Sequence, residues 1–111
     1  MGFILKIILT GIAALLLANF VPGILLEGIV SGILLALVLA ILNAVVRPIL
    51  VFLTIPVTFL TLGLFLLVIN AIILYLADFI LDGFSVEGFL NAIIFSLILS
   101  VVTYIIDLIT G

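Results

Sequence analysis

The sequence contains no cysteine, no histidine and no tryptophan, and charged residues make up only 6% of it. Lysine and arginine together occur twice, and aspartate and glutamate occur five times, which gives a net charge of −3. The absence of cysteine and histidine excludes disulfides, thiol chemistry, imidazole catalysis and Cys/His metal sites. The small, scattered charge also gives no basis for nucleic acid as a partner.

The chain has an excess of apolar residues, which account for 70% of its 111 positions. A soluble domain is about half apolar and about a quarter charged, so this composition predicts a membrane protein. One helical crossing of the hydrocarbon layer takes about 20 apolar residues. We therefore predict a single integral membrane domain over residues 1–111, all-α, with four transmembrane helices.

The apolar residues form four runs, separated by glycine, proline and acidic residues that are typical of turns. The first run is too long for a secretory signal and lacks a small-residue cleavage pattern, so we interpret it as a retained signal anchor. The second run is predicted to end at Arg47, because Pro48 disfavours helical conformation in the residue before it. The runs cover approximately residues 3–21, 29–46, 62–80 and 89–109.

Residues 48–61, between the second and third runs, are apolar but too short to cross a bilayer. Pro48 and Pro56 bracket this segment. A kinked continuation of the second span, an interfacial helix and a re-entrant half-helix all agree with its composition. We favour two short helical pieces that meet near Ile55 and Pro56, because proline suits a first helical turn and Pro48 would begin the first piece.

The few charges predict the orientation of the chain. In a four-span topology Lys6 and Arg47 lie on one side of the membrane, and Glu27, Asp82 and Glu87 lie on the other. Basic residues favour the cytoplasmic side. We therefore expect both termini to be cytoplasmic.

The two halves of the chain resemble each other, which indicates an internal duplication. PGILLEG at residues 22–28 matches DGFSVEG at 82–88, and LANF at 17–20 matches LADF at 76–79. Each half is a hairpin that returns to its starting side, so we expect two tandem hairpins of the same orientation, related by a pseudo-two-fold axis along the membrane normal. A chance match between apolar segments is the alternative. The repeats cover approximately residues 3–46 and 62–109.

Small residues recur at every fourth position of the second and fourth spans, which places each set on one helical face. Such faces allow helices to approach closely in a membrane. We expect the second and fourth spans to cross closely near the pseudo-axis, with subunit contact as the alternative use of the same residues. The second span carries Gly28, Gly32, Ala36, Ala40 and Ala44, and the aligned residues of the fourth are Gly88, Ala92, Ser96, Ser100 and Tyr104.

A candidate polar cluster consists of Asn43 and Arg47, one helical turn apart, and Asn70 in the third span. This cluster could line a pathway or bind an anionic group. In the alternative interpretation Arg47 extends to the headgroups, and the asparagines cap helices or bond across them. Asp78 is either a proton or cation site or a solvated side chain. No catalytic, cofactor-binding or metal-ligating motif occurs, so we expect neither an enzyme nor a cofactor.

The centre of the chain carries LNAVVRPIL at residues 42–50, LTIPVT at 53–58 and LTLGLFLLVINA at 60–71. Together with the loop residues 19–23 and 82–89, these segments resemble the phage-holin-like, or YvlD-like, family of small bacterial membrane proteins. The resemblance covers nearly the whole chain. It implies a four-span protein of the bacterial inner membrane.

Three classes of function agree with the sequence. The first is a membrane-structural or lipid-interacting protein of the cell envelope, which we favour. The second is an oligomeric, holin-like pore or small-solute channel, and the third is an accessory subunit of a larger membrane complex. In each case membrane lipids are partners, and we expect a homo-oligomer because 111 residues leave little room for a pore within one bundle.

Overall fold

The computed structural model describes residues 2–110, and most of this range is helical. The helix boundaries fall where glycine, proline and acidic residues interrupt the apolar runs. Within this range, five helices and two short strands follow one another: α1 Gly2–Ala18, β1 Ile24–Leu26, α2 Ile29–Leu53, α3 Ile55–Leu60, α4 Phe65–Ile80, β2 Phe84–Val86 and α5 Phe89–Thr110.

Four of these helices form a bundle in which each has two neighbours. Both α1 and α4 contact α2 and α5. The order around the bundle is therefore α1, α2, α4, α5, and the two longest helices, α2 and α5, lie diagonally opposite each other. The six-residue α3 has no buried residue and links α2 to α4.

The interior of the bundle is apolar, and much of its outer surface is apolar too. The largest fully buried side chains are Leu35, Ile69, Leu74, Phe84 and Phe95. Large apolar side chains are also exposed on every helix of the described chain. A water-soluble monomer rarely exposes apolar surface on this scale, whereas hydrocarbon solvates it.

Only two of the helices are long enough and apolar enough to cross a bilayer by themselves. They are α2, with 25 residues, and α5, with 22 residues, or about 37 and 33 Å at the helical rise per residue. The shorter apolar helices α1 and α4 have 17 and 16 residues. The first apolar run overestimated α1, because residues 19–23 form turns instead of continuing the helix.

A two-stranded antiparallel ribbon closes one end of the bundle, and the sequence analysis did not predict it. Leu25 pairs with Ser85 at its centre. Beyond the strands, the Glu27 N–H donates to the Gly83 carbonyl at 3.0 Å, and the Glu87 N–H donates to the Gly23 carbonyl at 2.6 Å. The two polar turns, sixty residues apart, are thus joined to each other.

The prediction that the second span ends at Arg47 is wrong. The helix α2 runs through Pro48 and ends at Leu53, so the first six residues of the segment continue the span. Within a helix Pro48 removes one hydrogen bond, to the Ala44 carbonyl, at a cost of about 3 kcal/mol in water. Proline is tolerated better in membrane helices, where neighbouring elements compensate for that loss.

The break between α2 and α3 comes at Thr54, close to the predicted meeting point at Ile55 and Pro56. The Thr54 hydroxyl donates to the Leu50 carbonyl at 2.7 Å, which satisfies one carbonyl of the last turn. Thr61 then connects α3 to α4, because its hydroxyl accepts the Phe65 N–H at 3.1 Å. The segment therefore consists of the end of α2 and the separate α3, instead of two pieces beginning at Pro48.

The expected close crossing of the second and fourth spans is also wrong, because α2 and α5 lie on a diagonal of the bundle. The close contact of α2 is with α1, at Gly32 and Gly11. A Cβ built on Gly32 would lie 2.6 Å from the Gly11 carbonyl oxygen. Gly11 was not among the residues predicted to pack helices, since it has no partner at four-residue spacing in its own span.

Candidate functional site

A polar cleft lies between the four bundle helices, at the end opposite the ribbon. Its volume is about 520 Å³, which is within the usual range of ligand sites. Leu39, Ile73, Leu74 and Leu99 provide apolar walls. The polar residues that line it are Lys6, Thr10, Asn43, Arg47, Asn70, Ser96, Ser100, Thr103, Tyr104 and Asp107.

The three residues of the predicted polar cluster all line this cleft. Arg47 on α2 donates from Nη1 to Oδ1 of Asn70 on α4, so the two residues join neighbouring helices. Asn43 lies one turn along α2 from Arg47 and is exposed. Arg47 comes eighteen residues after the start of α2 at Ile29, or about 27 Å along the helix.

A second polar bridge joins α1 to α5 in the same cleft. Lys6 Nζ lies 2.8 Å from Asp107 Oδ1, and the side chains are 36% and 49% exposed. The sequence analysis did not place these residues together. A signal was present, however, because polar residues recur four positions apart on three helices: Lys6 and Thr10, Asn43 and Arg47, Thr103 and Asp107.

Two hydroxyl groups lie deep in the cleft and differ in their hydrogen bonding. The Ser96 hydroxyl donates to the Ile93 carbonyl of its own helix at 2.9 Å. The Thr10 side chain is 7% exposed, and its hydroxyl has no hydrogen-bond partner among residues 2–110. A buried polar group without a partner costs about 1–3 kcal/mol, so Thr10 offers a free donor to whatever enters the cleft.

The small residues of α2 and α5 shape the cleft. Ala36 and Ala40 on α2 face Ser96 and Ser100 on α5 across it. Since these helices lie on a diagonal, short side chains at the four positions leave the space between them open. Among the other residues of the two sets, Gly32 and Ala92 are buried, Gly28 is half-buried, and Ala44 and Gly88 are exposed.

Asp78 belongs to the opposite end of the bundle. Its Oδ2 accepts the Val86 N–H of the ribbon at 3.0 Å. A carboxylate that accepts a backbone N–H forms a stronger bond than a neutral acceptor does. Asp78 therefore ties α4 to β2, a contact that neither interpretation of this residue included.

Comparison with known proteins identifies the family. The family model described as mycobacterial four-span (4 TMS) phage holin, superfamily IV, matches residues 1–105. The chain belongs to this family. The superfamily IV phage holins are described as having four transmembrane segments, and the resemblance seen in the central motif is thereby confirmed.

Two relatives of this chain are similar to it over much of their length. The uncharacterized membrane protein YvlD of Bacillus subtilis strain 168 is 39% identical over 97 residues, which cover 86% of this chain and 82% of YvlD. The uncharacterized protein SCO3922 of Streptomyces coelicolor is 43% identical over 76 residues, which cover 65% of this chain and 61% of that protein. No solved structure matches the chain.

Membership of this family makes the protein a membrane protein, in agreement with its composition and its apolar surface. Neither the family description nor the names of the two relatives indicate catalysis. Within residues 2–110, no three acidic side chains are grouped so that they could hold a metal ion.

Proposed function

We propose that this protein is a non-enzymatic, lipid-interacting protein of the bacterial inner membrane. One observation carries the proposal: the polar cleft occupies one end of the bundle and does not continue to the other. Towards the ribbon, Phe84 and Phe95 are fully buried, with ring centroids 6.3 Å apart, and Ala14 and Ala77 have no exposed surface. A cleft closed by a packed apolar core resembles a ligand site more than a channel.

We further propose that α1, α2, α4 and α5 cross the membrane as two tandem hairpins around a pseudo-two-fold axis. The order of the helices supports this, since exchange of α1 with α4 and of α2 with α5 leaves the neighbours unchanged. The ribbon supports it too, because Leu25 and Ser85, which pair at its centre, are equivalent positions of the two repeats. The cleft gives further support. Arg47 and Asp107 are equivalent positions of the two repeats, and each bonds to the first helix of the other hairpin, Arg47 to α4 and Asp107 to α1.

The proposed topology has both termini in the cytoplasm and the ribbon outside. Lys6 and Arg47 line the cleft at one end, while Glu27 and Glu87 flank the ribbon at the other. The chain has no cysteine, so single replacements can be labelled cleanly. We expect Glu27→Cys and Glu87→Cys to react with a membrane-impermeant thiol reagent on intact cells. Lys6→Cys should react only after the cells are lysed. Labelling of Lys6→Cys on intact cells would contradict the proposed topology and support the opposite orientation.

Reconstitution distinguishes a lipid-interacting protein from a pore. We expect the purified protein to retain phospholipid through detergent purification, and vesicles that contain it to keep a trapped small dye. The measurements are bound lipid per chain by mass spectrometry and dye release by fluorescence. Rapid dye release by a protein free of bound lipid would contradict the proposal.

A holin-like pore is the second candidate, and the family description is the observation that favours it. Because the cleft of one chain ends at an apolar core, a pore would have to form between several copies. We also propose a homo-oligomer, whose size native mass spectrometry would measure. In the pore candidate, dye release rises steeply with the number of chains per vesicle, whereas the lipid-interacting protein releases no dye at any ratio.

A further inference from the structure

We propose that the cleft binds a phosphodiester group, supplied by the headgroup of an anionic phospholipid in the cytoplasmic leaflet. This inference rests on the proposed lipid interaction and names the chemistry of the group bound. It is carried by the charge of the cleft, by the unpaired hydroxyl of Thr10 and by the depth of Arg47.

The described side chains leave one positive charge in the cleft uncompensated. The only lysine and the only arginine of the chain both line it, together with one carboxylate, Asp107. Asp107 is paired with Lys6, whereas the partner of Arg47 is the neutral amide oxygen of Asn70. A charge that is partly buried among apolar walls is stabilised by a counter-charge, so the cleft suits the binding of one anion.

Arg47 has donors available for that anion. A guanidinium carries five N–H donors in a planar fork, and one hydrogen bond, to Asn70, is found for Arg47 among the described residues. The fork matches the paired oxygens of a phosphate group, which can accept two N–H bonds from the same arginine. Asn70 then acts as a positioning residue, because its hydrogen bond holds the guanidinium of Arg47 in the cleft.

Thr10 supplies an independent indication of a ligand. Its side chain is 93% buried, lines the cleft, and has no partner for its hydroxyl within residues 2–110. Native proteins rarely leave a buried hydroxyl unpaired. A phosphate oxygen in the cleft would accept this hydroxyl hydrogen while other oxygens bond to Arg47.

Net charge and depth select the type of phosphate. Lys6, Arg47 and Asp107 sum to one positive charge, which matches the single negative charge of a phosphodiester better than the charge of about −1.5 to −2 on a phosphomonoester at neutral pH. Arg47 lies about 27 Å along α2 from its start, close to the thickness of the hydrocarbon layer. In the proposed topology this depth is the cytoplasmic headgroup layer, where lipid phosphodiesters are found.

The test measures the affinity of the full chain for phosphatidylglycerol and for phosphatidylcholine in mixed micelles. Both lipids carry a phosphodiester, but the choline cation of phosphatidylcholine offsets its charge, so we expect the unaltered protein to prefer phosphatidylglycerol. The affinity for phosphatidylglycerol should fall about tenfold or more in Arg47→Gln, since a hydrogen bond to a charged group contributes about 1.5–3 kcal/mol and 1.4 kcal/mol corresponds to tenfold. Arg47→Lys keeps the charge but lacks the planar fork, so its affinity for phosphatidylglycerol should lie between those of the unaltered protein and Arg47→Gln.

A matched pair of threonines separates the cleft from general effects on folding. Thr10 and Thr58 both carry buried hydroxyls without partners in the described chain, but only Thr10 lines the cleft. We expect Thr10→Val to weaken phosphatidylglycerol binding by about threefold or more and Thr58→Val to leave it unchanged. If Arg47→Gln does not fold, this pair still tests the proposal.

The outcomes also distinguish this inference from the proposed function. Lipid retention with the same phosphatidylglycerol affinity in Arg47→Gln and Thr10→Val would overturn the phosphodiester site and leave the lipid-interacting function standing. Complete displacement of the lipid by millimolar inorganic phosphate would overturn the lipid source, since a free phosphate would then be the better ligand. Absence of bound lipid in the unaltered protein would overturn both.

Discussion

Replacement of Gly11 by alanine is expected to force α1 away from α2 and to be among the most destabilising substitutions in the chain. A Cβ at Gly11 would lie 2.7 Å from Ile33 Cα and 2.8 Å from Ile33 N, both backbone atoms that no rotamer change can move. Overpacking of this kind costs about 1–3 kcal/mol, whereas the gain in helix propensity is at most about 1 kcal/mol. The clash should therefore outweigh the gain.

Thermal unfolding in mild detergent measures this effect, and Gly28→Ala is its control. A Cβ at Gly28 meets nothing within 4 Å, and the φ angle of 170° is extended backbone that alanine adopts freely. Gly32→Ala should behave like Gly11→Ala, because its Cβ would lie 2.6 Å from the Gly11 carbonyl oxygen. Equal melting temperatures for Gly11→Ala and Gly28→Ala would show that α1 and α2 are not packed closely.

Replacement of Gly23 by alanine is expected to break the ribbon, with a loss of about 2–5 kcal/mol. Two costs add up. The φ angle of 81° disfavours any residue with a Cβ by about 1–2 kcal/mol. The Cβ would also lie 2.2 Å from the Glu87 carbonyl oxygen, and overpacking adds about 1–3 kcal/mol.

Gly63→Ala isolates the backbone cost, because Gly63 has a φ angle of 91° but no atom within 4 Å of a built Cβ. It should lower the free energy of unfolding by about 1–2 kcal/mol. The excess loss in Gly23→Ala then reports the contact between the two turns. Amide hydrogen exchange at Leu25 and Ser85 should rise in Gly23→Ala and stay unchanged in Gly63→Ala. Equal losses in the two variants would mean that the turns do not pair.

Three of the four helix boundaries at the ribbon end could be predicted closely from the sequence, and the end of α1 is the exception. Predicted starts at residues 29 and 89 agree with α2 and α5, and the predicted end at residue 80 agrees with α4. At these points glycine and acidic residues interrupt the apolar runs, so the change in composition is local and sharp. The expectation that proline ends a helix failed at Pro48, where α2 continues. Whether a helix ends at a proline depends on whether surrounding elements compensate for the one missing hydrogen bond.

The ribbon could not be predicted from local patterns. Its strands have three residues each, too few to show an alternation of apolar and polar positions, and their pairing joins residues sixty positions apart. The same turns nevertheless supplied the match between 22–28 and 82–88 that indicated the duplication. The match indicates similar hairpins, and in the structure the same two segments pair with each other.

The cleft was predictable in part. Polar side chains on apolar helices singled out Asn43, Arg47 and Asn70, and the structure brings them into one site. Lys6 and Asp107 carry the same signal, and the structure pairs them in this site. Their pairing depends on which helices are neighbours, and composition does not determine the order of helices around a bundle.

The ribbon also imposes a delay during synthesis of the chain, because β1 is made well before its partner β2. Ile24 and its neighbours pair with residues that are synthesised sixty positions later. At about 5–20 residues per second, the first hairpin waits about 3–12 seconds with the edge of its future strand unpaired. Unpaired edges are templates for other chains, and the ribbon pairs equivalent positions, so β1 of a second nascent chain fits the same register. Translation speed therefore sets how long the first hairpin is open to pairing with a second nascent chain.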